Sequence, residues 1–155
     1  MPKWFIRSFG STSMPYTYLD HDADVGIRAS GASVEEAFEE GAKAMLNVMW
    51  DISTIEERQN VSIECEARDV PELFVEMLNE ILFKQGVEEL ALARLKIDEI
   101  KRQESGRYKL KGIVFGEPLD IDKHAVKTEV KAATYAGLKY ENKEGKHILQ
   151  CVVDV

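Results

Sequence analysis

Val25-Gly26-Ile27-Arg28-Ala29-Ser30-Gly31-Ala32-Ser33-Val34-Glu35-Glu36-Ala37-Phe38 changes its hydrophobic period part-way along. Val25, Ile27 and Ala29 alternate with their neighbours, which predicts a strand that stops at Gly31. Ser33 followed three residues later by Glu36 is a capping-box pattern, so a helix follows at once. Its apolar positions Val34, Ala37, Phe38, Ala42, Met45, Leu46 and Met49 recur at helical spacing. The segment to about Trp50 therefore buries one stripe.

The same reading extends outward. Val61, Ile63, Cys65 and Ala67 alternate with Ser62, Glu64 and Glu66, as in a half-buried strand. A second helix opens with Asp69 as cap, Pro71 in its first turn and Glu72 at its positive end, and Gly86 is placed to end it. Leu92 to Gln103 and Tyr108 to Phe115 are strand-like and joined by Ser105-Gly106. Val126 to Tyr140 and His147 to Val155 flank a polar turn containing Gly145. The order predicts one α+β domain, with two helices packed on antiparallel or mixed sheets. Residues 1–15, ending Ser11-Thr12-Ser13-Met14-Pro15, carry no sustained period and read as a variable N-terminal arm before a domain spanning 16–155.

A chain of 155 residues with 45% hydrophobic content can bury a core without disulfides or a structural metal. A formal net charge of -8 argues against direct nucleic-acid binding, because neutralising phosphates needs clustered Lys and Arg. No apolar run approaches the roughly 20 residues that span a bilayer, and the opening Met1 to Arg7 is too short and mixed for a secretory leader. The expectation is a cytoplasmic protein with no membrane partner. Cys65 and Cys151 lack metal or redox spacing and read as reduced core thiols. His21, His124 and His147 show no ligand spacing, and the last two are expected at the surface.

The chemistry-bearing feature is Asp20-His21-Asp22-Ala23-Asp24. Acids at the first, third and fifth positions suggest a calcium loop, but Val25 stands where that loop needs Gly and Gly31 where it needs Glu. Two readings remain. In one, the run is extended and its aspartates share a face; in the other, they are exposed turn residues, one of them capping a backbone amide. Cys151-Val152-Val153-Asp154-Val155 is apolar to its end, so it is expected to lie within the sheet and hold Asp154 in place. Lys127 starts a segment with alternating Thr128, Val130, Ala132 and Thr134, and either faces the acidic cluster or guards a strand edge. Glu76, set among Phe74, Val75, Met77 and Leu78, sits at the boundary of an apolar stripe and needs a partner.

Five segments in order, Asp20 to Arg28, Ser33 to Phe38, Gly116-Glu117-Pro118-Leu119-Asp120, Lys127 to Leu138 and Val153-Asp154-Val155, resemble the archease family. The resemblance runs from Tyr16 to the end. It implies a protein that is not an enzyme but activates the GTP-dependent RtcB-type RNA ligase of tRNA splicing, promoting its guanylylation and multiple turnover. It implies a divalent cation, calcium above all, held by Asp24, Asp154 and main-chain or terminal oxygens of Val155. Asp22, His21, Lys127 and Glu76 are then expected beside the site or against the ligase. Two departures stand out: Asp22 replaces a usual Thr, and Ala136 replaces a His in Tyr135-Ala136-Gly137-Leu138. The rival readings are a calcium-binding or chaperone-like adaptor for other RNA-modifying enzymes, and a small metal-dependent phosphohydrolase using the same carboxylates. Against the last, the sequence has no Gly-rich phosphate loop or nucleophile motif.

Overall fold

A computed structural model describes the backbone of residues 6–7, 15–21 and 24–155, with the side chains of 15–19 and 24–155. The elements are β1 (Ile6–Arg7), β2 (Tyr16–His21), β3 (Asp24–Gly31), α1 (Val34–Met49), a 3-10 turn (Ile52–Thr54), β4 (Gln59–Ala67), α2 (Val70–Val87), β5 (Leu90–Arg102), β6 (Tyr108–Pro118), β7 (Ala132–Lys143) and β8 (Lys146–Asp154). The strands form a five-stranded sheet in the order β1-β2-β3-β8-β7 and a three-stranded sheet in the order β4-β6-β5. Every pairing described is antiparallel, which settles the antiparallel-or-mixed alternative. The α+β expectation holds.

Both helices start where the sequence places them. The Ser33 side chain accepts from the Glu36 amide at 3.1 Å and the Glu36 carboxylate returns to the Ala32 amide at 3.2 Å, closing the capping box. Asp69 caps α2 by accepting from the Glu72 amide at 2.9 Å. The β7–β8 hairpin turns on Glu144 and Gly145, both at positive φ, as a two-residue turn matched to strand twist requires.

Three expectations are corrected. Tyr16–His21 is a strand pairing with β3, and Ile6–Arg7 pairs with it in turn, so part of the expected arm is in the sheet; the rest lies outside the described residues. The aspartates are not one extended run, because the chain reverses between His21 and Asp24, which are cross-strand partners. Asp20 accordingly lies in β2 opposite Val25 and is not a turn residue. Finally, β7 begins at Ala132; residues 126–131 are irregular because the Lys127 amide is drawn to the Met49 carbonyl at the end of α1, 2.7 Å away.

The helices join the two sheets. α1 packs against β3 of the larger sheet and β5 of the smaller, while α2 packs against β7 and β4. Their meeting point is the edge-on contact of Phe38 with Phe74, ring centroids 5.4 Å apart. Gly41 makes that approach possible, since a Cβ there would stand 2.3 Å from the Phe74 ring.

Helix side chains also satisfy edge-strand backbone that has no further strand to pair with. Asn79 on α2 donates to the Ala133 carbonyl at 3.0 Å and accepts from its amide at 2.8 Å. On β5, Leu92 gives its amide to Gln85 and receives the Trp50 indole, and the Ile97 amide bonds Glu39 at 2.9 Å. Leaving any such group bare would cost about 1–3 kcal/mol. Cys151 is buried and Cys65 half-buried; burial pushes both thiols up to about 12, which keeps them protonated.

Gly41→Ala is expected to lower stability by about 1–3 kcal/mol by displacing the Phe74 ring. Urea unfolding would show this as a lower midpoint at unchanged slope.

Candidate functional site

β8 lies between β3 and β7. Its register sets Val25 opposite Val153 and Ala132 opposite Asp154, so continuing the β3–β8 ladder by one residue brings Asp24 and Asp154 to neighbouring positions on adjacent strands. Val25, Ile27, Val153 and Cys151 occupy the core face, and strand alternation puts both carboxylates on the opposite face. The Lys131 amide donates to the Asp154 carbonyl at 2.8 Å, and the Val155 side chain packs against the core. The strand end is thus fixed from both sides. Asp24 and Asp154 are each half-buried. Like charges on paired strands repel, so their proximity calls for a compensating cation or solvent.

Of the other predicted residues, Asp22 lies outside the described residues, as does the side chain of His21, whose backbone pairs with Asp24. Lys127 is exposed, and its charge falls beside Asp51. The Ser53 hydroxyl and amide hold the Asp51 carboxyl low, with Lys127 adding to the effect. Among the described residues no group of three or more His, Cys, Asp or Glu is placed to hold a metal. The donors available are therefore two carboxylates and main-chain oxygens.

Glu76 has the partner its position demands. The Tyr135 hydroxyl donates to its Oε1 at 2.5 Å, and that bond pushes the phenol up to about 12. Tyr135 reaches α2 because Tyr135-Ala136-Gly137-Leu138 bulges out of the ladder: Thr134 pairs with Val152 and Lys139 with Gln150, leaving four residues opposite Cys151 alone. Gly137 at φ +63° makes the bend. Gln150 secures it, donating to the Gly137 carbonyl at 3.2 Å while its oxygen accepts two bonds from Arg28. Ala136 stands exposed on the bulge.

A second polar centre corrects the surface assignment of His124, which is buried at 1% exposure. Its Nδ1 accepts from the Asp120 amide at 2.9 Å, which leaves the ring proton on Nε2, 3.0 Å from the Glu117 carboxylate. Glu117, also buried, further accepts from the Glu56 amide and the Lys123 ammonium. These bonds hold its carboxyl well below the usual range, at about 2. The Gly116-to-Asp120 segment thus ties down the chain that crosses from β6 to β7.

The sequence profile of the archease protein family matches residues 16–155. This chain belongs to the archease family. Among curated relatives, the archease of Methanopyrus kandleri is 34% identical over 92% of this chain and 100% of its own length. That of Pyrococcus furiosus is 36% identical over 90% and 98%, and that of Danio rerio 38% over 90% and 85%. Among solved structures, a Methanobacterium thermoautotrophicum protein determined in solution superposes with a TM-score of 0.78 at 27% identity, covering 91% of this chain and 99% of that one. A Thermotoga maritima archease, described as a possible chaperone, has a TM-score of 0.54 at 20% identity, covering 96% and 100%. It supports the fold alone. No helix among the described residues is long and apolar enough to cross a membrane.

Two outcomes follow for this archease. In an ultraviolet titration one tyrosine should ionise near pH 12, and Glu76→Ala should bring it back toward 10 by removing the hydrogen-bond acceptor and the charge that oppose phenolate. Glu117 ionises in the folded state at about 2, below its ordinary 4.5, so its contribution to stability is complete above pH 4.5 and lost as pH falls toward 2. Glu117→Gln should therefore lower the melting temperature at neutral pH, with the gap to wild type narrowing as pH falls through that window.

Proposed function

We propose that this archease is a non-enzymatic activator of an RtcB-type, GTP-dependent RNA ligase in tRNA splicing, and that it works by offering a divalent cation at the Asp24–Asp154 edge. The observation that carries the reading is the register of β8, which sets two half-buried carboxylates on adjacent strands beside Val155. Membership of the archease family supports the choice of partner.

The donor set fits a hard cation such as Ca²⁺ or Mg²⁺, because carboxylate and main-chain oxygens are what these ions prefer. Asp24 and Asp154 would hold it, with a main-chain oxygen of Val155. A bound divalent ion supplies positive charge that offsets phosphate charge during nucleotidyl transfer. The protein's own part is positional. Core packing of Val25, Val153 and Val155 fixes the carboxylates, so binding spends little on ordering them. His21, whose backbone pairs with Asp24, and its sequence neighbour Asp22 would sit next to the ion or meet the ligase, and exposed Lys127 would contact the partner. An acidic surface, net -8, complements a basic RNA-binding enzyme better than it would the RNA itself.

The test is tRNA-half ligation by the cognate ligase with and without this protein. Wild type should convert a stalled reaction into many turnovers and speed guanylylation of the ligase. Asp24→Ala and Asp154→Ala should each lose about tenfold or more of that stimulation. Ca²⁺ should raise the melting temperature of wild type but not of either variant, since only a folded site binds it. Unchanged turnover with wild type would sink the proposal.

A further inference from the structure

The outer face of the five-stranded sheet, which carries Asp24 and Asp154 at one end, has the opposite charge at the other. Ile27 and Ala29 are buried in the core, as are Leu149 and Cys151, so the cross-strand partners Arg28 and Gln150 lie on the outer face. On the far side of β8, Lys139 pairs with Gln150 and Glu141 with Ile148, which completes two rows across β3, β8 and β7. Arg28, Lys139, Glu141, Lys143, Ile148 and Gln150 line a recess of about 240 Å³. Three cations there face one carboxylate, so two positive charges stay uncompensated in a chain whose net charge is -8. Along β3 the recess stands four residues from Asp24, about 13 Å away.

Arg28 is held in place without being neutralised. Its Nε and Nη2 both donate to the Gln150 Oε1, at 3.0 and 2.8 Å. Gln150 is buried, and its Nε2 is fixed in turn by the Gly137 carbonyl of the β7 bulge at 3.2 Å. An amide oxygen carries no full charge, so these bonds orient the guanidinium and leave it cationic. No hydrogen bond among the described residues uses its Nη1, and the end-on fork of Nη1 and Nη2 is open to an oxyanion. The two lysines share Glu141, at 2.8 Å from Lys139 and 3.9 Å from Lys143. Both lysines are exposed, and exposed pairs of this kind hold weakly, so either ammonium can turn to a ligand at little cost.

We infer that Arg28, Lys139 and Lys143 form a binding site for a phosphate monoester, the terminal group of a nucleotide or of an RNA end. Charge selects the class. A phosphate monoester carries about -1.5 to -2 at neutral pH, which matches the two uncompensated charges, whereas a carboxylate or a phosphodiester would leave one of them unmet. Geometry agrees, because the planar fork of Arg28 takes two oxygens and the flexible ammonium groups take the third. The recess is smaller than the roughly 300–1,000 Å³ of pockets that enclose a whole organic ligand, so it receives the charged head and leaves the remainder outside. A net charge of -8 opposes binding along a strand, but a site of this size asks for one phosphate only. The inference needs neither the ligase nor the cation and stands apart from the proposed function.

The experiment titrates the full chain alone with inorganic phosphate, GMP, guanosine, and a short oligoribonucleotide with and without a terminal phosphate. Binding is followed by calorimetry and by the ¹H–¹⁵N signals of the arginine Nε groups, with Arg28→Ala assigning the signal of Arg28. Wild type should bind the ligands that bear a phosphate monoester saturably and shift that signal, and should ignore guanosine and the unphosphorylated strand. Arg28→Ala and, separately, the doubly substituted Lys139→Ala with Lys143→Ala should each weaken GMP binding about tenfold or more. Asp24→Ala should bind GMP like wild type, which separates this site from the carboxylate edge. The two lysines are exposed, so their variant should melt like wild type and decides the matter even where Arg28→Ala unfolds early. GMP binding as tightly as the end-phosphorylated strand would make the source a nucleotide, and a tighter strand would make it an RNA end; either supports the site. Three results would each overturn it: no saturable binding of any phosphate-bearing ligand by wild type, undiminished binding by the lysine variant, or equal binding of the unphosphorylated strand.

Discussion

β8 hydrogen-bonds to β3 on one side and β7 on the other, and the candidate site inherits its geometry from that double pairing. Leu149, Cys151 and Val153 are buried on one face of β8 and pin its register. A slip of one residue would move them to the opposite face and carry Asp154 to the core face, which no unpaired carboxylate tolerates. The placement of two acids side by side is thus enforced by apolar packing and not by any attraction between them. The fold thus holds a locally unfavourable arrangement in place.

The remaining architecture supports that sheet. The two helices touch both sheets, and their polar side chains at Asn79, Gln85 and Glu39 take over where strand ladders end. Glu117 and His124 play the same part for the crossing segment, giving a stretch without regular structure a buried, fully bonded anchor. Such a network is costly to break, since removing one member strands the others in a low-dielectric interior.

Much of this was legible in the sequence because the signals are local. Ser33 with Glu36, Asp69 with Pro71, and the alternation of Val61 to Ala67 each depend on neighbours a few residues away, and each element formed where expected. The short β2 was missed because its apolar alternation is weak and runs straight into the acidic residues. Val126 to Lys131 mimics a strand but is diverted by a contact with Met49 that spacing cannot reveal. Burial of His124 depends on Glu117 and the Asp120 amide meeting its two ring nitrogens, which is a tertiary coincidence. The Tyr135–Glu76 bond was half legible: an acid amid apolar neighbours announces that it has a partner, not which one. The juxtaposition of Asp24 with Asp154 needs sheet register, which residue patterns alone do not supply.

The bulge at Tyr135 to Leu138 has a consequence for solubility. β7 is the free edge of the five-stranded sheet, a row of backbone groups on which a strand from another molecule could assemble. Four residues looped out of the ladder, a left-handed glycine among them, break that row in the middle. Lys139, Glu141 and Lys143 then charge the half that follows. The irregularity that lets Tyr135 reach α2 thereby denies a second chain any long straight template, guarding against fibril-like growth from this edge.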